Sequence, residues 1–231
     1  MKMKSKKVAI FDIDGTIFRS SLLIEVTEAL IKEKIFPKNA RGIYKKEFKQ
    51  WTERKGSYED YIMAVVKAYL KNIKGVKQKD FLKIAKKVIE ENNDKVYTYT
   101  RDLVWELKKK NYFLLAISNS PYEMVKGFCQ KLGFDKTYGR VYELDKNDKY
   151  TGKVLYLDLI SDKSKILKRA VEKQGLTLKG SIGVGDTEGD IPLMKIVEKP
   201  ICFNPNKNLY EAAVKHGWKI VVERKDMIYE L

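Results

Sequence analysis

A chain of 231 residues with 44% hydrophobic content and a net charge of +16 can bury a sizeable core, in one domain or one domain plus an insert. No apolar run approaches the roughly 20 residues of a membrane span. The basic start MKMKSKK leads into an apolar stretch that Asp12 and Asp14 interrupt, so no targeting segment is expected.

The first element is the apolar run VAIFDI (8–13), a strand that ends on two aspartates, Asp12 and Asp14. Then follow the amphipathic patterns SSLLIEVTEALIKEK, YEDYIMAVVKAYLKN and KDFLKIAKKVIEEN, with a shorter helical pattern around Tyr44 to Trp51 and no strand between them. Helices are expected from about Arg101 to Lys110 and from Pro121 to Leu132, the latter with Ser120 as N-cap and Pro121 at the first helical position. The strand YFLLAIS (112–118) lies between them. The segment 138–154 alternates around polar turn residues and reads as a β-hairpin. Further helices span about Asp162 to Gln174, Ile191 to Val197 and Lys207 to His216, interleaved with the strands SIGVG (181–185), PICF (200–203) and KIVVE (219–223). Strands alternating with helices imply an α/β fold, a doubly wound Rossmann-like parallel sheet covered on both faces. The helical stretch breaks that alternation, so the expected organisation is a core of 1–17 and 97–231 with an inserted all-α cap domain at 18–96.

In such sheets ligands bind beyond the carboxyl ends of the strands. This chain places Asp12 and Asp14 there, then Ser118 and Asn119, then Asp186 in GVGDTEGD, with Asp190 four residues on. Two like charges on one strand end are tolerated when a cation lies between them or one keeps a proton. The carboxylates form an oxygen-only set suited to Mg²⁺, which retains waters and leaves room for a phosphate. The Ser hydroxyl, free backbone N–H groups and a lysine of the DKSKIL stretch suit phosphate oxygens. One carboxylate could then attack phosphorus to give an aspartyl-phosphate.

DIDGT, ISNS, a lysine about twenty residues before the last motif, and GDTEGD resemble the four motifs of the haloacid dehalogenase superfamily of phosphohydrolases. The insert resembles its type 1 cap, and the second half resembles the phosphoserine-phosphatase-like branch. The resemblance implies a nucleophilic Asp12 that is also a Mg²⁺ ligand, and a general acid and base at Asp14, whose backbone carbonyl also binds Mg²⁺. It implies phosphate contacts from Ser118 and the Asn119 amide, a neutralising Lys165, a metal ligand in Asp186, and a supporting Asp190 that orients Lys165 or a metal-bound water. DKSK offers Lys163 as well; the place of Lys165 just before Ile166-Leu167 favours Lys165.

The expected activity is Mg²⁺-dependent hydrolysis of a small phosphomonoester. The alternatives are transfer to another acceptor, as in a mutase, or a non-catalytic protein of the same fold binding RNA or acidic membranes. Seven of the 47 basic residues are Arg, and the lysines are scattered among glutamates at helical positions without a recognition motif. No specific nucleic-acid partner is therefore expected; any polyanion binding should be non-specific, and peripheral contact with lipid phosphates stays open. Cys129 and Cys202 lack metal-ligand spacing and fit a reduced, cytoplasmic protein, acting as a monomer or homodimer. His216 is read as a helix-end residue, and Tyr44, Trp51, Tyr58, Tyr61 and Tyr69 as cap core. Phosphoserine phosphatases carry a glutamate early in the insert and a cap arginine. Here Ser21 stands near the glutamate's place, Glu25 lies one turn further on, and Arg19, Arg41 and Arg54 are the candidate cations. Phosphoserine is thus not expected to be the preferred substrate.

Overall fold

The computed structural model describes residues 5–231. Eight strands form one sheet: β1 (Lys7–Phe11), β2 (Phe113–Pro121), β3 (Lys136–Leu144), β4 (Tyr150–Leu155), β5 (Thr177–Gly185), β6 (Lys199–Phe203), β7 (Lys219–Arg224) and β8 (Met227–Glu230). Their order is β4-β3-β2-β1-β5-β6-β7-β8. The six inner strands run parallel, and β4 and β8 close the two edges antiparallel.

The central strands are apolar throughout because both faces are covered. Val8 to Phe11 are all fully buried, and the side chains alternate between two cores. Ala9, Phe11, Leu114, Ala116, Ile182 and Val184 face one. Val8, Ile10, Leu115 and Ile117 face the other, where Ile166, Leu167 and Leu193 meet them. This is the expected doubly wound α/β arrangement.

The helices are α1 (Leu22–Lys32), α2 (Lys45–Thr52), α3 (Tyr58–Ile73), α4 (Gln78–Asn92), α5 (Thr98–Lys109), α6 (Tyr122–Leu132), α7 (Leu157–Ile160), α8 (Lys163–Gln174), α9 (Ile191–Met194) and α10 (Lys207–His216). Between β1 and β2 the described chain is helical, apart from isolated bridges. Helices α1, α3 and α4 bury Val26, Leu30, Val65, Tyr69, Phe81 and Val88 in the same cluster as α6 and the first sheet face. The α3–α4 turn is also tied to the β3–β4 hairpin: Tyr150 N–H donates to the Val76 carbonyl at 3.0 Å, and Gly75 N–H to the Tyr150 carbonyl at 2.8 Å. No described helix is long and apolar enough to cross a membrane.

Several details differ from expectation. Helix α9 ends at Met194 rather than Val197, β5 begins at Thr177, and the short α7 is additional. Strand β2 runs on to Pro121, and α6 starts one residue later than Ser120-Pro121 suggests. The Ser120 hydroxyl is engaged elsewhere: it donates to Asp14 Oδ1 at 2.9 Å and accepts from Leu23 N–H at 3.1 Å. Strand β8 was not anticipated, since all four of its residues are exposed and show no alternation.

Candidate active site

Asp12 leaves β1 buried at the carboxyl edge of the sheet, between β2 and β5. Its Oδ1 accepts from Lys163 Nζ at 2.7 Å, and the same ammonium donates to Asp190 Oδ1 at 2.6 Å. Asp190 Oδ2 accepts from the N–H groups of Asp186 at 3.1 Å and Thr187 at 3.2 Å. Both Asp190 oxygens are thus engaged. The carboxylate folds back over the short turn Glu188–Asp190 and makes no cap to α9. Carboxylate oxygens of Asp12, Asp186 and Asp190 lie within 4.8 Å of one another.

Across from Lys163, the Thr16 hydroxyl lies 3.3 Å from Asp12 Oδ2 and 3.2 Å from Asp186 Oδ1. This close approach depends on Gly15. Its φ is +79°, and a Cβ there would stand 2.1 Å from Asp186 Oδ2. Gly185 has the same role beneath Asp190, whose Cγ would be 2.3 Å from an added Cβ.

Asp14 turns the other way, toward the helical segment. Its Oδ1 accepts from Leu22 N–H at 2.5 Å, at the start of α1, and its Oδ2 accepts from the Ser118 hydroxyl. A carboxylate at a helix N-terminus is favoured by the unpaired N–H groups and the helix dipole. Ser118 Oγ also accepts from Ser120 N–H at 2.9 Å. Asn119 is exposed, and its Oδ1 lies 3.4 Å from the Arg140 guanidinium.

The electrostatics follow from burial. Burial pushes the Asp12 carboxyl up, Lys163 pulls it down, and Asp190 and Asp14 push it up again, to about 7. Burial, then the charges of Asp12 and Asp190, hold Asp186 well above the usual carboxylate range. Burial alone would lower Lys163, but Asp12 and Asp190 outweigh it and keep the ammonium above its usual range. The site is a desolvated acidic set with one fixed cation, and the carboxylates not bound to that cation call for another. Its donors are all oxygens, which fits a hard divalent ion.

The structure brings together Asp12, Asp186 and Asp190, and sets Asp14 and Ser118 beside them. It corrects the lysine. Lys165 is exposed, with Nζ 3.4 Å from the Asp158 carbonyl, and does not reach the site. Lys163 shares the buried face of α8 with Ile166, Leu167 and Ala170, at spacings of three, four and seven. That periodicity was the signal for it. Thr16, Ser120 and Arg140 were missed as well. Thr16 could have been found in DGT; Arg140 enters through the register that pairs it with Pro121, which no local pattern encodes.

In the insert, Tyr44, Tyr61 and Tyr69 are buried, as expected of core. Trp51 stacks on Tyr61, while Tyr58 reaches the pocket over the strand ends. Arg41 pairs with Glu28, Arg19 lies over the Tyr97 ring, and Arg54 is exposed; none lines that pocket. Glu25 pairs with Lys95 at 2.6 Å and does not line it either. His216 ends α10 and stacks on Trp218, away from the site.

Residues 9–195 match the family model of haloacid dehalogenase-like hydrolases, and the chain belongs to that family. Among characterised relatives, it is 26% identical to a phosphoserine phosphatase of Methanocaldococcus jannaschii, over 97% of this chain and 95% of that one. It is 21% identical to the inhibition of morphological differentiation protein of Streptomyces azureus, over 94% of this chain and 78% of the other. Two solved structures share the fold. One is a Bordetella pertussis Tohama I protein of unknown function, with TM-score 0.74 and 17% identity, covering 94% of this chain and 98% of that one. The other is a phospho-aspartyl intermediate analogue of phosphoserine phosphatase, with TM-score 0.61 and 23% identity, covering 96% of each chain. The family match and the Methanocaldococcus jannaschii relative agree with the phosphoserine-phosphatase-like branch implied by the sequence motifs.

Proposed function

We propose that the chain is a Mg²⁺-dependent phosphomonoester hydrolase that works through an aspartyl-phosphate on Asp12, with residues 18–96 as its cap. The observation that carries this reading is the Asp12–Lys163–Asp190 chain of buried charge-assisted hydrogen bonds, with Asp186 opposite. Family membership and the names of the phosphatase relatives support it.

In this reading Asp12 and Asp186, with the Asp14 backbone carbonyl, hold Mg²⁺. When bound, the ion supplies charge neutralisation for the carboxylates and the phosphoryl oxygens. Asp12 attacks phosphorus, and the bond from phosphorus to the alcohol oxygen breaks. Asp14, on the side facing the helical segment, donates a proton to that leaving oxygen. It then takes a proton from the water that attacks phosphorus, which releases inorganic phosphate and restores Asp12. Lys163 neutralises charge on Asp12 and on the transferring group, and Asp190 fixes its position. Ser118 and the Asn119 amide hold phosphate oxygens. Lys163 thereby takes the role that the sequence motif suggested for Lys165.

The buried free thiols of Cys129 and Cys202 suit a reducing compartment such as the cytoplasm. The test of the activity is release of phosphate from a generic aryl phosphate by the purified protein, with and without Mg²⁺. Metal-dependent release that is abolished in Asp12→Asn is expected; equal release by Asp12→Asn would contradict the assignment.

A further inference from the structure

The cavity over the strand ends measures about 180 Å³. A single water needs about 10–15 Å³ of such space, so there is room for a phosphate group and a short carbon body. Its two sides differ. The core side carries the ionised groups described above. The other side is formed by Ser21, by Leu23 of α1 and by one side of α3, where Ile62, Met63 and Val66 follow Tyr58 and Glu59 at helical spacing.

Among the described residues two cations line the cavity, Lys163 and Arg140, and both belong to the core. Lys163 is committed to Asp12 and Asp190, and Arg140 lies beside the exposed Asn119 side chain. The helical segment contributes no Lys or Arg to the lining. Its one ionisable acid there is Glu59, and it is exposed. Glu25, the carboxylate closest in sequence to Ser21, is occupied by Lys95.

We propose that the preferred substrate is the phosphate ester of a short apolar alcohol, with its carbon body packed against Leu23, Ile62, Met63 and Val66. The inference rests on the phosphomonoester hydrolase reading above. An α-carboxylate on a leaving group packed against this wall would meet no cation from the helical segment and would be repelled by Glu59; Arg140, the one lining cation without a carboxylate partner, lies on the core side. An apolar body gains from the same contact. Each methylene buried contributes about 0.8 kcal/mol, or about fourfold in kcat/KM.

The experiment compares kcat/KM with Mg²⁺ for isobutyl phosphate and phosphoserine, which differ by two methyl groups in place of an ammonium and a carboxylate. Ethyl, butyl, phenyl and glycerol phosphates complete the panel. Isobutyl phosphate should exceed phosphoserine by at least tenfold, and butyl should exceed ethyl. Phosphoserine or glycerol phosphate turned over as well as isobutyl phosphate would overturn the proposal and leave the hydrolase reading intact. Hydrolysis of no ester in the panel would overturn that reading, and the proposal with it. Met63 is 54% exposed, so Met63→Arg should fold while adding a cation to the wall. It should narrow the isobutyl-to-phosphoserine ratio by fivefold or more; an unchanged ratio would remove α3 from contact with the leaving group.

Discussion

At the strand ends, the buried charged groups are held within hydrogen-bonding reach of partners. Lys163 spans Asp12 and Asp190, Asp190 also takes two backbone N–H groups, and Asp14 takes one N–H and two hydroxyls. The α3 side of the same pocket offers Ile62, Met63 and Val66 beside Tyr58 and Glu59, with no such network. The first region is over-determined: moving one group uncovers the charge of another. The second is held only by helix packing, and a substitution there leaves no orphaned charge. In the proposed reading, chemistry and substrate choice rest on separate parts of the chain. One fold can keep the first while changing the second.

The largest effects should come from breaking the charged lattice. Lys163→Met should lower kcat by about 10²–10³-fold, the scale of losing one fixed electrostatic contact to a transition state. Lys165→Met should leave kcat within about twofold, because that side chain is in solvent. Steady-state kinetics of the two variants side by side would check the pair; the reverse order would restore the lysine favoured by the sequence motif. Asp186→Ala should act on the metal first, raising the Mg²⁺ concentration for half-maximal rate by about tenfold or more. A Mg²⁺ titration of activity checks this, and an unchanged midpoint would remove Asp186 from the ligand set. Gly15→Ala should resemble it, since a Cβ at that position collides with the Asp186 carboxylate and the backbone sits at φ +79°.

The smallest effect sharpens the comparison from outside the site. Where α3, α6 and the β3–β4 hairpin meet, the Tyr69 and Tyr150 hydroxyls and Glu123 Oε2 are buried without a protein partner. Burial raises the Glu123 carboxyl above 4.5, while its own helix N–H and Lys126 pull it down. The folded protein therefore binds that proton more tightly than the unfolded chain. The resulting stability is fully present below the unfolded value and is lost as pH rises through the folded value. Glu123→Gln should raise Tm near about pH 8 and change it little near about pH 4. Thermal unfolding at both pH values checks this; a lower Tm at the higher pH would mean that the ionised carboxylate has a partner.

What the sequence revealed divides along physical lines. Central strands buried on both faces are read from continuous apolar runs, and Asp12, Asp14, Ser118 and Asp186 fall where those runs end, with Asp190 four residues further on. Lys163 was readable too, because it continues the stripe of Ile166, Leu167 and Ala170, but a motif matched by its adjacency to Ile166-Leu167 selects Lys165 instead. Arg140 and Ser120 depend on strand register and on a bond to α1, long-range facts with no local pattern. The apolar wall was hidden for another reason. Ile62, Met63 and Val66 look in sequence like an ordinary helix face, and only the docking of α3 over the strand ends turns them toward the cavity.

The central claim is that Asp12 carries the phosphoryl group. Rapid quench of the protein during turnover with Mg²⁺, followed by borohydride reduction, converts an aspartyl-phosphate to homoserine at the position that held it. Peptide mass spectrometry should find homoserine at position 12, dependent on substrate and Mg²⁺. Homoserine at position 14 or 186 instead, or turnover that persists in Asp12→Asn, would contradict the account.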